Sequence, residues 1–128
     1  MIVLDTHAWL WLTSDPERLS AAARAAVDEA DAIGVCTITC WEIVMLVAAG
    51  RIRIDRDPRR WVRQALAVER TAALPLTAEI AVSAALLARQ FPGDPTDRII
   101  YATAVGHGVP LITKDERISS FDPQRTIW

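Results

Sequence analysis

Short apolar runs alternate with longer helix-like segments along the whole chain, and this alternation restricts the fold more than any other feature. Ile2-Val3-Leu4 is the first run and Ile33 to Thr37 (IGVCT) the second. Ala72 to Leu76 is a weaker third, Val109 to Thr113 (VPLIT) a fourth, and Thr126-Ile127-Trp128 a short last one. Between them lie the apolar stretch Thr6 to Leu12 and an alanine-rich helix from Ser20 to Ala30. Thr39 and Glu42, three apart before IVMLVAA, form a capping-box signature for the next helix, and Gly50 should close it. Pro58 opens a helix to about Arg70 with Trp61, Ala65 and Leu66 facing inward. Thr77 caps another to about Gln90, and FPGDP interrupts the chain before a helix from Thr96 to about His107. Strands separated by helices need crossover connections, which build a parallel sheet. Runs that are apolar throughout, rather than alternating, belong to strands covered on both faces. The expected fold is α/β, a three-layer sandwich with a central parallel sheet of four or five strands and helices on both faces.

The chain's 128 residues, 52% hydrophobic and 23% charged, suit a single globular domain over residues 1–128 with its own core. A net charge of −2 excludes a polycation that holds nucleic acid by bulk charge. It leaves open an enzyme that holds its substrate through metal ions. Cys36 and Cys40 are too few for a disulfide scaffold and read as small core hydrophobes. With His7 and His107 they lie at the ends of different elements, which argues against structural zinc. No apolar run reaches the ~18–20 residues of a membrane span, and no basic leader precedes the first one. The expected location is the cytoplasm, with reduced thiols.

In open α/β sheets ligands bind beyond the carboxyl ends of the strands. Asp5 closes the first strand, and Asp115 follows VPLIT by two residues. Glu42 falls in the first turn of the helix after the second strand, and Asp97 in the first turn after FPGDP. Taken singly, three of these acids could serve only as helix caps or turn residues. Asp5 is different, because an acid at the end of a buried strand costs desolvation unless something pairs it. Four carboxylates on one rim repel one another, and Mg²⁺ or Mn²⁺ is the natural counter-charge for oxygen ligands. Such a site suits phosphodiester hydrolysis, with metal ions positioning the phosphate and activating water. No GxxxxGK[ST], GxGxxG or GxSxG motif offers a competing chemistry.

MIVLDTHAWLW, ITCWEI, GDPTDRIIYATA and LITKDERI, in this order and spacing, resemble a PIN-domain ribonuclease of the VapC toxin type. The resemblance spans essentially the whole chain, and the third segment is its most specific part. It implies a Mg²⁺- or Mn²⁺-dependent endoribonuclease whose four acids match Asp5, Glu42, Asp97 and Asp115. Asp5 and Asp97 are the implied ligands of a first ion, with Glu42 and Asp115 completing the cluster or holding a second. Asp94 is an extra acid that either assists or caps the helix at Pro95, and Thr6 and Thr113 stand beside the acids as hydrogen-bonding support. Thr96 departs from the family at a position where an aromatic is frequent. The resemblance further implies a toxin–antitoxin module, an RNA target of the tRNA or rRNA class, a small inhibitory antitoxin and a homodimer.

A carboxylate cluster repels phosphates, so RNA contacts must come from elsewhere. Arg51 to Arg63 holds six arginines against Asp55 and Asp57, a local charge of +4. Arg51, Arg53, Arg59 and Arg60 are the candidate RNA contacts, with Trp61 either stacking on a base or turned to the core. Trp9 and Trp11 would lie ~200° apart on a helix, one inward and the other exposed as a partner surface. A receiver-like Mg²⁺ signalling domain is the rival from another class. It needs an acid pair after the first strand, whereas Asp5 is followed by Thr6 and His7. A dehalogenase-type phosphatase fails on the same residues, for want of a second acid at position 7. A catalytically silent PIN-fold binding domain has little support when all four acids are present, and DNA remains an alternative substrate.

Overall fold

A computed structural model describes residues 1–128. Five strands pair in parallel: β1 (Ile2–Leu4), β2 (Ile33–Cys36), β3 (Thr71–Leu74), β4 (Leu111–Ile112) and β5 (Thr126–Ile127). Their spatial order is β3-β2-β1-β4-β5. Around them pack α1 (Thr6–Ser14), α2 (Ala21–Glu29), α3 (Thr37–Ala48), α4 (Pro58–Leu66), α5 (Ala78–Ala85), α6 (Pro95–His107) and α7 (Glu116–Phe121).

The two-residue period of the strands divides their side chains between two cores. Ile2 and Leu4 of β1 join Ile33, Val35 and Ile112 under Trp9 and Leu10 of α1 and Trp61 of α4. On the other face Val3 joins Leu74 and Leu111 under Ile100, Tyr101 and Ala104 of α6 and Ile118 of α7. Helix α5 lies outside α6, packed through Ile80, Ala84 and Ala102. The three-layer sandwich expected from the alternation is therefore the observed one, with five strands. At Gly34 an added Cβ would lie 2.6 Å from Leu74 Cδ1 and 3.2 Å from the Ile2 carbonyl oxygen, so a larger residue there would have to displace the Leu74 side chain.

Several local expectations give way to tertiary packing. The capping box at Thr39 and Glu42 does not form, because α3 begins at Thr37 with Cys36 as its cap residue. Thr39 is instead fully buried inside the helix with its hydroxyl unpartnered, and Glu42 is drawn to Thr6. The helix from Pro58 ends at Leu66 instead of reaching Arg70. Arg70 takes φ 66°, and its guanidinium donates to the carbonyls of Val27 (3.2 Å) and Ala30 (2.6 Å) at the end of α2. Helix α5 stops at Ala85, short of Gln90, and α7 was not expected at all. Trp9 and Trp11 are both buried, against the expectation that one would be exposed. Trp128 packs 5.7 Å from the Trp11 ring, and the Arg18 guanidinium lies 4.5 Å over it. No helix is long and apolar enough to cross a membrane.

Candidate active site

From β1 the chain steps outward through β2 and β3 on one side, then returns to build β4 and β5 on the other. The crevice beyond the carboxyl ends of β1 and β4 is the point where that direction reverses, the usual ligand position in such sheets. Asp5 sits on its lip. Its N–H donates to the Ile112 carbonyl (3.0 Å), and its Oδ1 caps α1 by accepting from the Ala8 N–H (2.7 Å). Burial raises its pKa, with the Thr113 hydroxyl acting in the opposite direction.

Glu42, midway along α3, accepts a short hydrogen bond from the Thr6 hydroxyl. Burial raises its pKa, the Thr6 bond opposes this, and the Asp94 charge adds to it. At the start of α6, Asp94 Oδ1 accepts from the Asp97 N–H (3.0 Å) and Asp97 Oδ2 accepts from the Asp94 N–H (3.1 Å). This reciprocal capping box fixes Asp97 with one oxygen engaged and the other free. Burial first, then the neighbouring Asp94 charge, pushes Asp97 up to about 7. Gly93 permits this approach, since a Cβ there would stand 2.3 Å from Asp97 Cβ. Arg98 turns away from the cleft and ties α6 to the end of α5, donating to the carbonyls of Ala84 (3.1 Å), Leu87 (3.3 Å) and Ala88 (3.2 Å).

Asp115 differs from the other three. Its Oδ1 caps α7 by accepting from the Arg117 N–H (2.9 Å), and the Arg117 guanidinium grips both of its oxygens. That side-chain bond holds its carboxyl below the ordinary range. Thr113 is fully buried beneath, its hydroxyl accepting from the Asp115 N–H (3.1 Å).

Asp5, Glu42, Asp97 and Asp115 line one cleft of about 470 Å³, together with Asp94 and Thr6. His7, Trp11, Lys114, Glu116 and Arg117 complete its wall. Sequence reasoning missed Lys114 and Arg117; the available signal was the Asp-x-Arg spacing at a helix start, which puts the two side chains side by side. Arg51, Arg53, Arg59 and Arg60 are exposed, and none of them lines this cleft. Trp61 does not face solvent for base stacking: it is buried edge-on against Trp9, ring centroids 5.2 Å apart. A second cavity of about 470 Å³ opens at the opposite edge of the sheet, beside Ile33 and Thr71 at the strand starts.

An all-oxygen donor set suits a hard divalent cation. Burial raises the pKa of Asp5, Glu42 and Asp97, and none of the three makes an ion pair within the protein. The residues fit such an ion in chemistry, although no three of the acids stand in a ready-made coordination shell.

A carboxylate-lined crevice at the switch point of a five-stranded parallel sheet defines the class, and the chain belongs to the PIN-domain family, whose profile matches residues 2–122. Within that family it is 39% identical over 129 residues to Ribonuclease VapC22 of Mycobacterium tuberculosis (strain ATCC 25618 / H37Rv), covering 99% of this chain and 98% of the relative. Among solved structures it is similar to a toxin–antitoxin complex from Klebsiella pneumoniae, with TM-score 0.71, 21% identity, and coverage of 100% of this chain and 97% of that one. It is also similar to VapBC-1 from nontypeable Haemophilus influenzae, with TM-score 0.69, 20% identity, and coverage of 98% and 96%. These structures share the fold, and the VapC-type resemblance read from the motifs agrees with the curated relative.

Proposed function

We propose that the protein is a Mg²⁺- or Mn²⁺-dependent endoribonuclease acting as the toxin of a toxin–antitoxin module in the cytoplasm, with tRNA or rRNA as its target class. The observation that carries this reading is the convergence of Asp5, Glu42 and Asp97 on one cleft, none of them in an ion pair. The 39% identity to a ribonuclease supports the activity, and the toxin–antitoxin neighbours support an antitoxin partner.

In this reading Asp5 and Asp97 hold the ion. When bound there, the ion supplies Lewis-acid charge for the phosphodiester and lowers the pKa of water. Asp5 is anchored by the cap of α1 and Asp97 by the cap of α6, so both carboxylates are placed before substrate arrives. Glu42, oriented by Thr6, turns its remaining acceptor capacity toward the attacking water. Thr113 supports Asp5 from below, and Asp94 holds the first turn of α6. RNA beyond the cleft meets Arg51, Arg53, Arg59 and Arg60, and an antitoxin silences the enzyme by inserting a segment near the acids. A second copy of the chain covers the exposed stripe Trp41, Val44 and Met45 on α3. A solution mass of one chain at micromolar concentration would count against the homodimer.

The deciding experiment is cleavage of total RNA by antitoxin-free protein with Mn²⁺ or Mg²⁺, beside an EDTA control and Asp97→Asn. Discrete fragments that vanish in both controls are expected. A folded protein that neither cuts RNA nor binds metal would instead be a silent binding domain, and cleavage of DNA alone would change the substrate.

A further inference from the structure

Asp5, Glu42, Asp94 and Asp97 line the cleft together with His7 and the segment Lys114 to Arg117, whose two cations stand beside Asp115 and Glu116. Lys114 Nζ lies 5.4 Å over the Trp11 ring, and His7 packs 5.7 Å from the same ring. Lys114 lines the cleft, makes no ion pair and has only the Trp11 ring against its charge.

Arg117 is arranged differently. Its Nε donates to Asp115 Oδ1 (3.1 Å) and its Nη2 to Asp115 Oδ2 (2.7 Å), a fork-on-fork pair. The Arg117 side chain keeps 64% of its exposure and Asp115 only 24%, so the carboxylate lies beneath and the guanidinium above. A guanidinium has five N–H donors, and two are taken here. The other three remain for a ligand, in a plane already fixed by the clamp. Asp94 and Asp97 line the same cleft as Arg117, and their charge reaches it. Asp115 is already charge-paired by Arg117, whereas Asp5, Glu42 and Asp97 make no ion pair.

We propose that Arg117 and Lys114 bind an RNA phosphate next to the scissile one, and that Asp115 positions Arg117 instead of serving as a metal ligand. This rests on the ribonuclease reading above and revises the role that the resemblance implied for Asp115. Asp5 and Asp97 would hold the ion that receives the scissile phosphate, and Arg117 and Lys114 take its neighbour directly. Arginine suits this because its planar fork matches two phosphate oxygens, and pre-orientation by a carboxylate removes most of the ordering cost.

The test uses the full chain in four versions: unchanged, Arg117→Ala, Asp115→Asn (asparagine keeps a cap for α7) and Asp97→Asn. Mn²⁺ affinity is measured by calorimetry without RNA. Affinity for a fluorescein-labelled single-stranded RNA is measured by anisotropy in EDTA across a salt series. Arg117→Ala and Asp115→Asn should both retain Mn²⁺ binding and weaken RNA roughly tenfold, mostly as a rise in KM with less change in kcat. Each should flatten the slope of log K against log salt by about 0.7, the value of one phosphate contact on a single strand. Asp97→Asn should lose Mn²⁺ binding instead. Loss of Mn²⁺ binding by Asp115→Asn would overturn the positioning role, and an unchanged salt slope in Arg117→Ala would overturn the phosphate contact. Should the unchanged protein show the contact yet cut no RNA, the phosphate site stands and the ribonuclease reading falls.

Discussion

Asp97 holds a carboxyl where burial and the Asp94 charge both disfavour ionisation, raising it from 3.8 to about 7. A folded-state pKa above the unfolded one means that the proton stabilises the fold. That stabilisation is complete below the unfolded value and is lost as pH rises through about 7. The metal-free protein should therefore be weaker at pH 8 than at pH 5. Asp97→Asn should gain about 1–2 kcal/mol at pH 8 in EDTA, after allowance for solvent screening at this half-buried site, and less at pH 5. Urea unfolding at the two pH values checks this. Added Mn²⁺ should reverse the order by stabilising the unchanged protein alone. Asp5, Asp97 and Asp115 were legible in the sequence because each follows a strand or opens a helix, whereas Glu42, expected in a first turn, stands midway along α3. Their partners were not: Thr6 and Glu42 are 36 positions apart, and nothing local joins them.

At the scale of elements, the start of α6 sets the geometry of the site. Gly93→Ala would drive a Cβ to 2.3 Å from Asp97 Cβ and displace the acid while the helix survives. Activity should fall by roughly 10²-fold, the usual cost of misplacing a reacting group by about 1 Å. Steady-state rates beside a circular-dichroism melt would separate this loss from unfolding. Arg98→Ala removes the donor for three carbonyls at the end of α5 and should cost about 1–3 kcal/mol, read from the shift in urea midpoint. The DPxDR pattern thus has two jobs, Asp97 facing the cleft and Arg98 binding α5 to α6. The central strands β1, β2 and β4 were readable as elements because both faces of the sheet are covered there and their residues are apolar throughout. Helix boundaries were less so. The Thr39/Glu42 signature is a true local preference that lost to burial of Thr39 and to the Thr6 bond. The six-residue helix α7 is too short to leave a period.

For the whole molecule, charge is divided in space more sharply than the net −2 suggests. The segment Arg51 to Arg63 carries +4 away from the acid cleft. Reversing Arg51 and Arg53 to Glu should weaken RNA binding at low salt and flatten its salt dependence, leaving Mn²⁺ affinity unchanged. Unchanged RNA affinity would remove this surface from the substrate path. Arg56 contributes less to such a surface, since Asp55 and Gln64 already engage its guanidinium. The sequence by itself determined the three-layer α/β plan and the rim on which the acids fall. Both follow from short-range patterns: apolar runs, helix breakers, and an acid at the end of an element. Tertiary structure alone decided that Trp11 is a core residue, that burial and the Asp94 charge raise Asp97 and that Asp115 is clamped. A side chain's charge and exposure depend on neighbours from other elements, and only the folded packing supplies them.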